Sequence, residues 1–313
     1  MKAVVRDTYG PPEVLELRDV DRPEPGPGEV LVRVHAAGVD QGTWHQVTGL
    51  PYLARLVFGP RRPRVPVPGL DVSGVVEQVG AGVTGLQPGD EVFGVGKGTF
   101  AEYATARTVV RKPANLTHEQ AAAVAVSGCT ALAALRGVES GQRVLVIGAG
   151  GGVGTYAVQL ARAFGATVTG VCGPSKVDLV RSLGAVEVID YTREPLRGQY
   201  DLVVDIAGGR PLSALRRLLT PRGTLVLVGS EEGGQWFGMG RQLGALLRGP
   251  FMSHRLRAPL SIVRPPALAQ LSTLLADGTI TPALDRTFTL GDAAAAITYL
   301  RDGHARGKIV ITP

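Results

Sequence analysis

The chain of 313 residues has only two cysteines, Cys129 and Cys172, which excludes a disulfide framework and leaves no cysteine pair at metal-ligand spacing. Both read as packed or pocket-lining thiols. No apolar run reaches the 18 or so residues that a membrane-crossing helix requires, and Met1-Lys2-Ala3-Val4-Val5-Arg6 lacks the apolar region of a signal peptide. These absences predict a cytoplasmic protein with no membrane partner. Internal repeats and low-complexity tracts are also missing.

A formal net charge of +6 suits an anionic cofactor or weak nucleic-acid attraction. The arginines are spread along the chain, however, and no aromatic residues interleave with a basic face, as single-strand binding would favour; this argues against a nucleic-acid partner. Arg61, Arg62 and Arg64 form the one dense basic cluster, and a solvated loop accounts for it. The length and the 44% hydrophobic content accommodate two domains with full cores.

The most informative stretch is Arg143 to Lys176. A β-branched apolar run, Arg143-Val144-Leu145-Val146-Ile147, breaks into Gly148-Ala149-Gly150-Gly151-Gly152-Val153-Gly154, and apolar residues then recur at helical spacing at Val158, Leu160, Ala161 and Phe164. A second strand, Ala166 to Val171, follows at the distance a βαβ unit requires. Glycines at Ala149-x-Gly151-x-x-Gly154 let the N–H groups of Gly151, Gly152 and Val153 approach a pyrophosphate at the positive end of the helix. An NAD site usually places Asp or Glu after the second strand to accept from the ribose 2′-OH; this chain has Cys172-Gly173-Pro174-Ser175-Lys176. Ser175 can donate to a 2′-phosphate and Lys176 can supply charge, so the sequence predicts NADP(H), with Gly173 at the turn. The competing reading has Lys176 merely solvating the next helix.

Residues 1 to about 112 read as β-rich, with strand-like runs at Val14–Leu17, Glu29–Val34, Gly74–Val79 and Glu102–Thr105 separated by Pro/Gly turns, a spacing that suggests a small barrel. From Thr117 to Gly137 the pattern is helical, and Thr117-His118-Glu119-Gln120 reads as a capping box. Strands at Glu187–Asp190, Asp201–Asp205 and Thr224–Val228 alternate with helices, which predicts an open parallel sheet. Glu231 to Pro266 is Gly-rich around one strand-like run, Phe251–His254. A helix at Leu268–Leu275, a strand at Arg286–Phe288, a helix at Ala293–Leu300 and a strand at Lys308–Ile311 should return to complete the first domain.

Five segments, Val65 to Val76, Pro88 to Gly94, Phe100 to Tyr103, the glycine turn and Ala305 to Val310, resemble in that order the medium-chain dehydrogenase/reductase superfamily, most of all its zinc-independent, quinone-oxidoreductase-like branch. The resemblance implies an α/β fold: a GroES-like β-barrel catalytic domain (1–116 and 267–313) and a Rossmann doubly wound parallel sheet binding NADP(H) (117–266), with substrate between them. It also implies a homodimer paired through the edge strand Phe251–His254. Zinc-dependent members carry Cys where this chain has Asp40, His-Glu where it has Leu70-Asp71, and Cys where Val126 stands; their four-cysteine structural-zinc lobe is absent. One carboxylate cannot hold an open zinc site, so no metal is expected.

Without a Lewis acid, isolated ketones and simple alcohols are hard substrates, whereas a quinone or enone spreads the arriving charge into an enolate that a few hydrogen bonds stabilise. The expected activity is therefore hydride transfer from NADPH to a small hydrophobic quinone or α,β-unsaturated carbonyl. The alternatives are a dedicated biosynthetic enoyl or ketone reductase, and a non-catalytic NADPH-binding protein, an RNA-binding role included. By resemblance, His45 sits where relatives have a Tyr or a proton-relay His, although Gly42 replaces the relay hydroxyl and Trp44-His45 could be pocket wall. Asp40 sits where related reductases have Asn near the nicotinamide, or stabilises a turn. Tyr52, in the apolar segment Gly49–Phe58, is the second candidate hydroxyl donor, with core packing an equal reading. For the cofactor, Thr130 matches a Thr near the nicotinamide and Tyr191 a residue beside the 2′-phosphate. Val228-Gly229-Ser230 should meet the carboxamide through backbone. Arg306 and Lys308 touch the cofactor or anchor the last strand.

Overall fold

A computed structural model describes residues 1–228, 254–259 and 262–313. They form two compact units, Met1–Cys129 with Ile262–Pro313, and Thr130–Ser261.

In the first unit the strands Val30–Val39, Asp71–Val79, Glu91–Lys97 and Tyr103–Arg111 pair antiparallel in chain order. Val30–Arg33 also pairs with Tyr103–Ala106, which closes a small barrel. Closure is a matter of close approach: a Cβ on Gly74 would stand 2.0 Å from the Arg33 carbonyl oxygen, so only glycine lets these strands cross here. The interior is filled by Val32, Val72, Val76, Val92 and Phe100. Lys308–Thr312 pairs antiparallel with Ala37–Val39, and Leu284–Thr289 lies parallel beside it, so the end of the chain extends the barrel's sheet.

Residues 117–129 pack with this unit. The capping box forms as expected, Thr117 Oγ1 accepting from Gln120 N–H and Gln120 Oε1 from Thr117 N–H, and the helix it starts, His118–Ala122, ends in Ala122 and Ala123 buried against Ala36 and Val310. One strand expectation shifts for a local reason. Pro11 and Pro12 fix φ at the helical turn Pro12–Val14, so the strand expected over Val14–Leu17 begins at Glu16 and pairs Glu16–Asp19 with Lys2–Val5.

In the second unit six strands pair, all parallel, in the spatial order Arg255–Arg257, Leu219–Leu227, Tyr200–Asp205, Arg143–Ile147, Thr167–Cys172, Glu187–Asp190. That is a doubly wound sheet whose order reverses between Arg143–Ile147 and Tyr200–Asp205, the place where such sheets bind ligands. Val144, Leu145, Val146 and Ile147 are all buried, as a strand covered on both faces requires. Phe251–Ser253 lie outside the described residues, and His254 immediately precedes the edge strand Arg255–Arg257. Among the described residues no helix is long and apolar enough to cross a membrane.

Candidate functional site

The glycine turn occupies the reversal point. Gly148, at φ +88°, ends the strand, and Gly151 caps the helix Gly152–Ala163 with its N–H donating to Gly148 O. Thr155 is the first residue whose N–H finds an acceptor in the helix, Gly151 O at 3.0 Å, which leaves the amides of Gly152, Val153 and Gly154 pointing beyond its N-terminus. A Cβ on Gly154 would sit 2.1 Å from Gly148 O, so turn and helix meet as closely as backbone allows. Bare amides at a positive helix end fit a pyrophosphate.

The next corner is built on Gly173-Pro174-Ser175-Lys176, a 3₁₀ turn with proline at its start. The Lys176 stem lies against the glycine turn, because a Cβ on Gly150 would stand 2.7 Å from Lys176 Cβ. Tyr191 is 55% exposed; its hydroxyl lies 3.7 Å from where a Gly173 Cβ would be, and Arg210 sits over its ring at 5.8 Å. The carboxylate at the end of the neighbouring strand, Asp190, is turned to Thr192 by two hydrogen bonds. Ser175, Lys176, Tyr191 and Arg210 therefore make a polar, basic corner beside the amides. Arg210 was not expected from sequence; its signal is Gly208-Gly209-Arg210 immediately beyond a central strand, where Asp205 takes the Gly208 N–H. Val228 N–H donates to Asp205 O at 2.9 Å, whereas Gly229 and Ser230 lie outside the described residues. Thr130 is buried in the middle of helix Ala125–Ala134.

In the barrel unit the three positions compared with metal ligands are brought together. Asp40 caps the helix Gln41–Thr48: Oδ1 accepts from Thr43 N–H at 2.9 Å and from the Thr43 hydroxyl at 3.3 Å, while Oδ2 is buried with no hydrogen-bond partner. A Cβ on Gly42 would stand 3.0 Å from Asp40 Oδ1 and 3.2 Å from Leu70 Cδ1, which places Leu70 beside that carboxylate. Asp71 is fully buried; Oδ1 accepts from Val126 N–H at 2.8 Å and Oδ2 lies 3.3 Å from Lys308 Nζ. Burial pushes the Asp71 carboxyl above its ordinary range, Lys308 pulls it back, and Asp40 raises it further. Of the two roles open to Lys308, the geometry describes the anchor: the ammonium is 2% exposed and also reaches Val39 O at 3.4 Å. Arg306 is exposed. The ion pair was missed in the sequence, yet its signal was there, since a lone acid in Leu70-Asp71-Val72-Ser73 and a lone base in Lys308-Ile309-Val310 each require a buried partner.

His45 lies on the same helix, and Tyr52 follows its C-terminal end. His45 Nδ1 lies 2.5 Å from Leu50 O, and a carbonyl can only accept, so Nδ1 carries the proton. Burial lowers the imidazole's pKa, which makes the neutral ring with an accepting Nε2 the form at neutral pH. Trp44 meets the His45 ring edge-on at 5.1 Å. Tyr52 is half-buried, with Arg55 over its ring at 4.7 Å. The two cysteines are buried, and burial lifts Cys129 to about 12 and Cys172 to about 11, too high for either to act as a thiolate.

Comparison with known proteins agrees with this layout. A family profile described as an alcohol dehydrogenase GroES-like domain matches residues 26–114, and one described as a zinc-binding dehydrogenase matches 183–311. The chloroplastic quinone-oxidoreductase QR1 of Triphysaria versicolor is 33% identical, over 100% of this chain and 98% of its own length. The mitochondrial NAD(P)H oxidoreductase RTN4IP1 of Mus musculus is 34% identical, over 99% of this chain and 89% of its own. The crystal structure of Escherichia coli quinone oxidoreductase complexed with NADPH superposes with a TM-score of 0.85 at 25% identity, over the whole of both chains.

Proposed function

Since the chain belongs to the quinone-oxidoreductase-like branch of the medium-chain dehydrogenase/reductase superfamily, and so to the NAD(P)H-dependent oxidoreductases, we propose that it is a zinc-independent, NADPH-dependent reductase of quinones or α,β-unsaturated carbonyls. The observation that carries this reading is the use already made of the carboxylates at the metal positions. Asp71 is paired with a buried ammonium and Asp40 caps a helix, with Leu70 and Val126 supplying no ligand atoms beside them. Of the two carboxylates only Asp40 Oδ2 is unengaged; a cation would have to displace Lys308 to add a second oxygen, and zinc needs at least three ligands.

The cofactor, when bound, supplies a hydride to the acceptor. The chain's part is to bind and to place hydrogen bonds. Gly152, Val153 and Gly154 offer amides to the pyrophosphate, and Ser175, Lys176, Tyr191 and Arg210 favour the 2′-phosphate. Asp40 Oδ2 is the acceptor free for cofactor or substrate. Neutral His45 orients through Nε2, which leaves the Tyr52 hydroxyl as the donor to a developing enolate. A cytoplasmic homodimer is part of the same proposal.

The test is NADPH oxidation, with EDTA present, against quinones, enones, aldehydes and simple ketones, with NADH in parallel. Turnover of quinones or enones with NADPH is the expected result. Exchange of Ser175 and Lys176 for Ala should weaken NADPH by tenfold or more while NADH changes little, since a lost charge-assisted hydrogen bond costs about 1.5–3 kcal/mol. EDTA-sensitive turnover of ketones would overturn the zinc-free reading, and equal losses for both nucleotides the 2′-phosphate reading.

A further inference from the structure

A second feature of the barrel unit lies outside all of these residues. Arg6 and Asp7, just after strand Lys2–Val5, and Arg61, Arg62 and Arg64 from the following loop line an open cavity of about 1030 Å³. Sequence brings three of the arginines together, and the fold adds the fourth. Arg6 N–H donates to Pro66 O at 3.1 Å and its Nη1 to the same oxygen at 3.2 Å, which clips the strand to the far end of the loop. The near end is fixed by Tyr9, whose hydroxyl donates to Gly59 O at 2.8 Å, and by Arg64 N–H donating to Phe58 O at 2.8 Å.

Arg6 differs in kind from the other three. Arg61, Arg62 and Arg64 are exposed, whereas Arg6 is 2% exposed, and its Nε is buried with no hydrogen-bond partner. Arginine is almost never fully buried unless paired, and among the described residues Arg6 has no carboxylate partner. Burial lowers its pKa to about 10, which still leaves it charged at neutral pH. The single acid in the lining, Asp7, is already engaged by Arg18 at 2.9 Å. The cavity is thus lined by four arginines, one of them with an unpartnered buried Nε, and the one acid in its lining is already engaged.

We propose that this cavity is an anion site for a phosphate group, of the phosphomonoester or diphosphate class, seated on Arg6 and gripped by the loop arginines. A carboxylate carries one charge and two oxygens. A phosphate brings about two charges and three acceptor oxygens, which matches forked donors arriving from two sides. The site is distinct from the glycine turn, which lies in the other unit, and it does not depend on the reductase reading.

The test is calorimetric titration of the full-length protein with inorganic pyrophosphate and with glycerol phosphate, at about 0.15 M salt so that diffuse attraction is screened. It is run with saturating NADPH, to fill the glycine turn, and again without nucleotide. One saturable site is expected in both runs, weakened about tenfold or more by Arg6→Met and by Arg62→Ser. Arg62 is exposed, so its variant keeps the test independent of any folding defect at the buried position. The better of the two ligands identifies the phosphate source. No saturable binding, binding unchanged in Arg62→Ser, or binding only of a single-stranded oligonucleotide would overturn the proposal.

Discussion

Lys308→Met isolates the buried ion pair of the barrel unit. Methionine keeps most of the volume and none of the charge, so Asp71, fully buried, loses its cationic partner while Val126 N–H still binds Oδ1. Breaking a buried pair from one side costs about 3–5 kcal/mol, because the remaining charge is uncompensated. At about 2–4 °C per kcal/mol for a domain of this size, the melting temperature should fall by roughly 6–20 °C. Adding Asp71→Asn removes the orphaned charge and retains the acceptor for Val126, so the double variant should recover most of that loss. The pH dependence has a fixed sign. Burial already raises the Asp71 carboxyl above its unfolded value, and loss of Lys308, which lowers it, raises it further. The folded single variant then binds the proton more tightly than the unfolded chain, so its deficit relative to wild type should be largest at pH 8 and shrink toward pH 5. Urea unfolding of wild type, both single variants and the double at these two pH values completes the cycle. A loss below about 1 kcal/mol, or a double variant no more stable than Lys308→Met, would refute the argument that this pair is desolvated and coupled.

Two further predictions follow from contacts within single units. His35 and His118 stack at 4.4 Å; burial lowers both pKa values and His35 lowers that of His118 further, so the unfolded chain binds protons first as pH falls through about 6.5 and the barrel should lose stability there. Thermal melts from pH 8 to 5 read this loss, and His35→Phe should flatten it; an unchanged slope would remove the pair from the explanation. Gly154→Ala would put a Cβ 2.1 Å from Gly148 O, forcing the turn open at a cost of about 1–3 kcal/mol and weakening NADPH by tenfold or more in a fluorescence titration. A folded Gly154→Ala variant with unchanged affinity would contradict the assignment of the turn.

What could be read from the chain alone follows the range of the interactions involved. The glycine turn, the capping box and the parallel strands are set by neighbours a few residues apart, so their signals are local and survive in the sequence. The shifted strand at Glu16 had a local cause as well: prolines at 11 and 12 hold the preceding turn, but apolar alternation hid it. Barrel closure, by contrast, joins Val30–Arg33 to Tyr103–Ala106, and no periodicity in either strand states which partner the other will choose.

The site residues divide along the same line. Lys176 was legible as a candidate phosphate ligand because it follows the second strand of a βαβ unit; that its stem lies on Gly150 is a fact of packing. Asp71 and Lys308 stand 237 positions apart, each a charge at the first residue of its strand. Either alone is only an anomaly, and the two become an explanation when the last strand pairs with Ala37–Val39 and carries the ammonium to the carboxylate. Arg6 is the same kind of anomaly, a charge at the end of the apolar run Ala3-Val4-Val5, and the fold brings it three more positive charges in place of a carboxylate. A lone charge in a buried strand thus says that a partner must exist without saying whether the chain supplies it. For Asp71 the chain does; for Arg6 none of the described residues does, and the proposed phosphate takes that place.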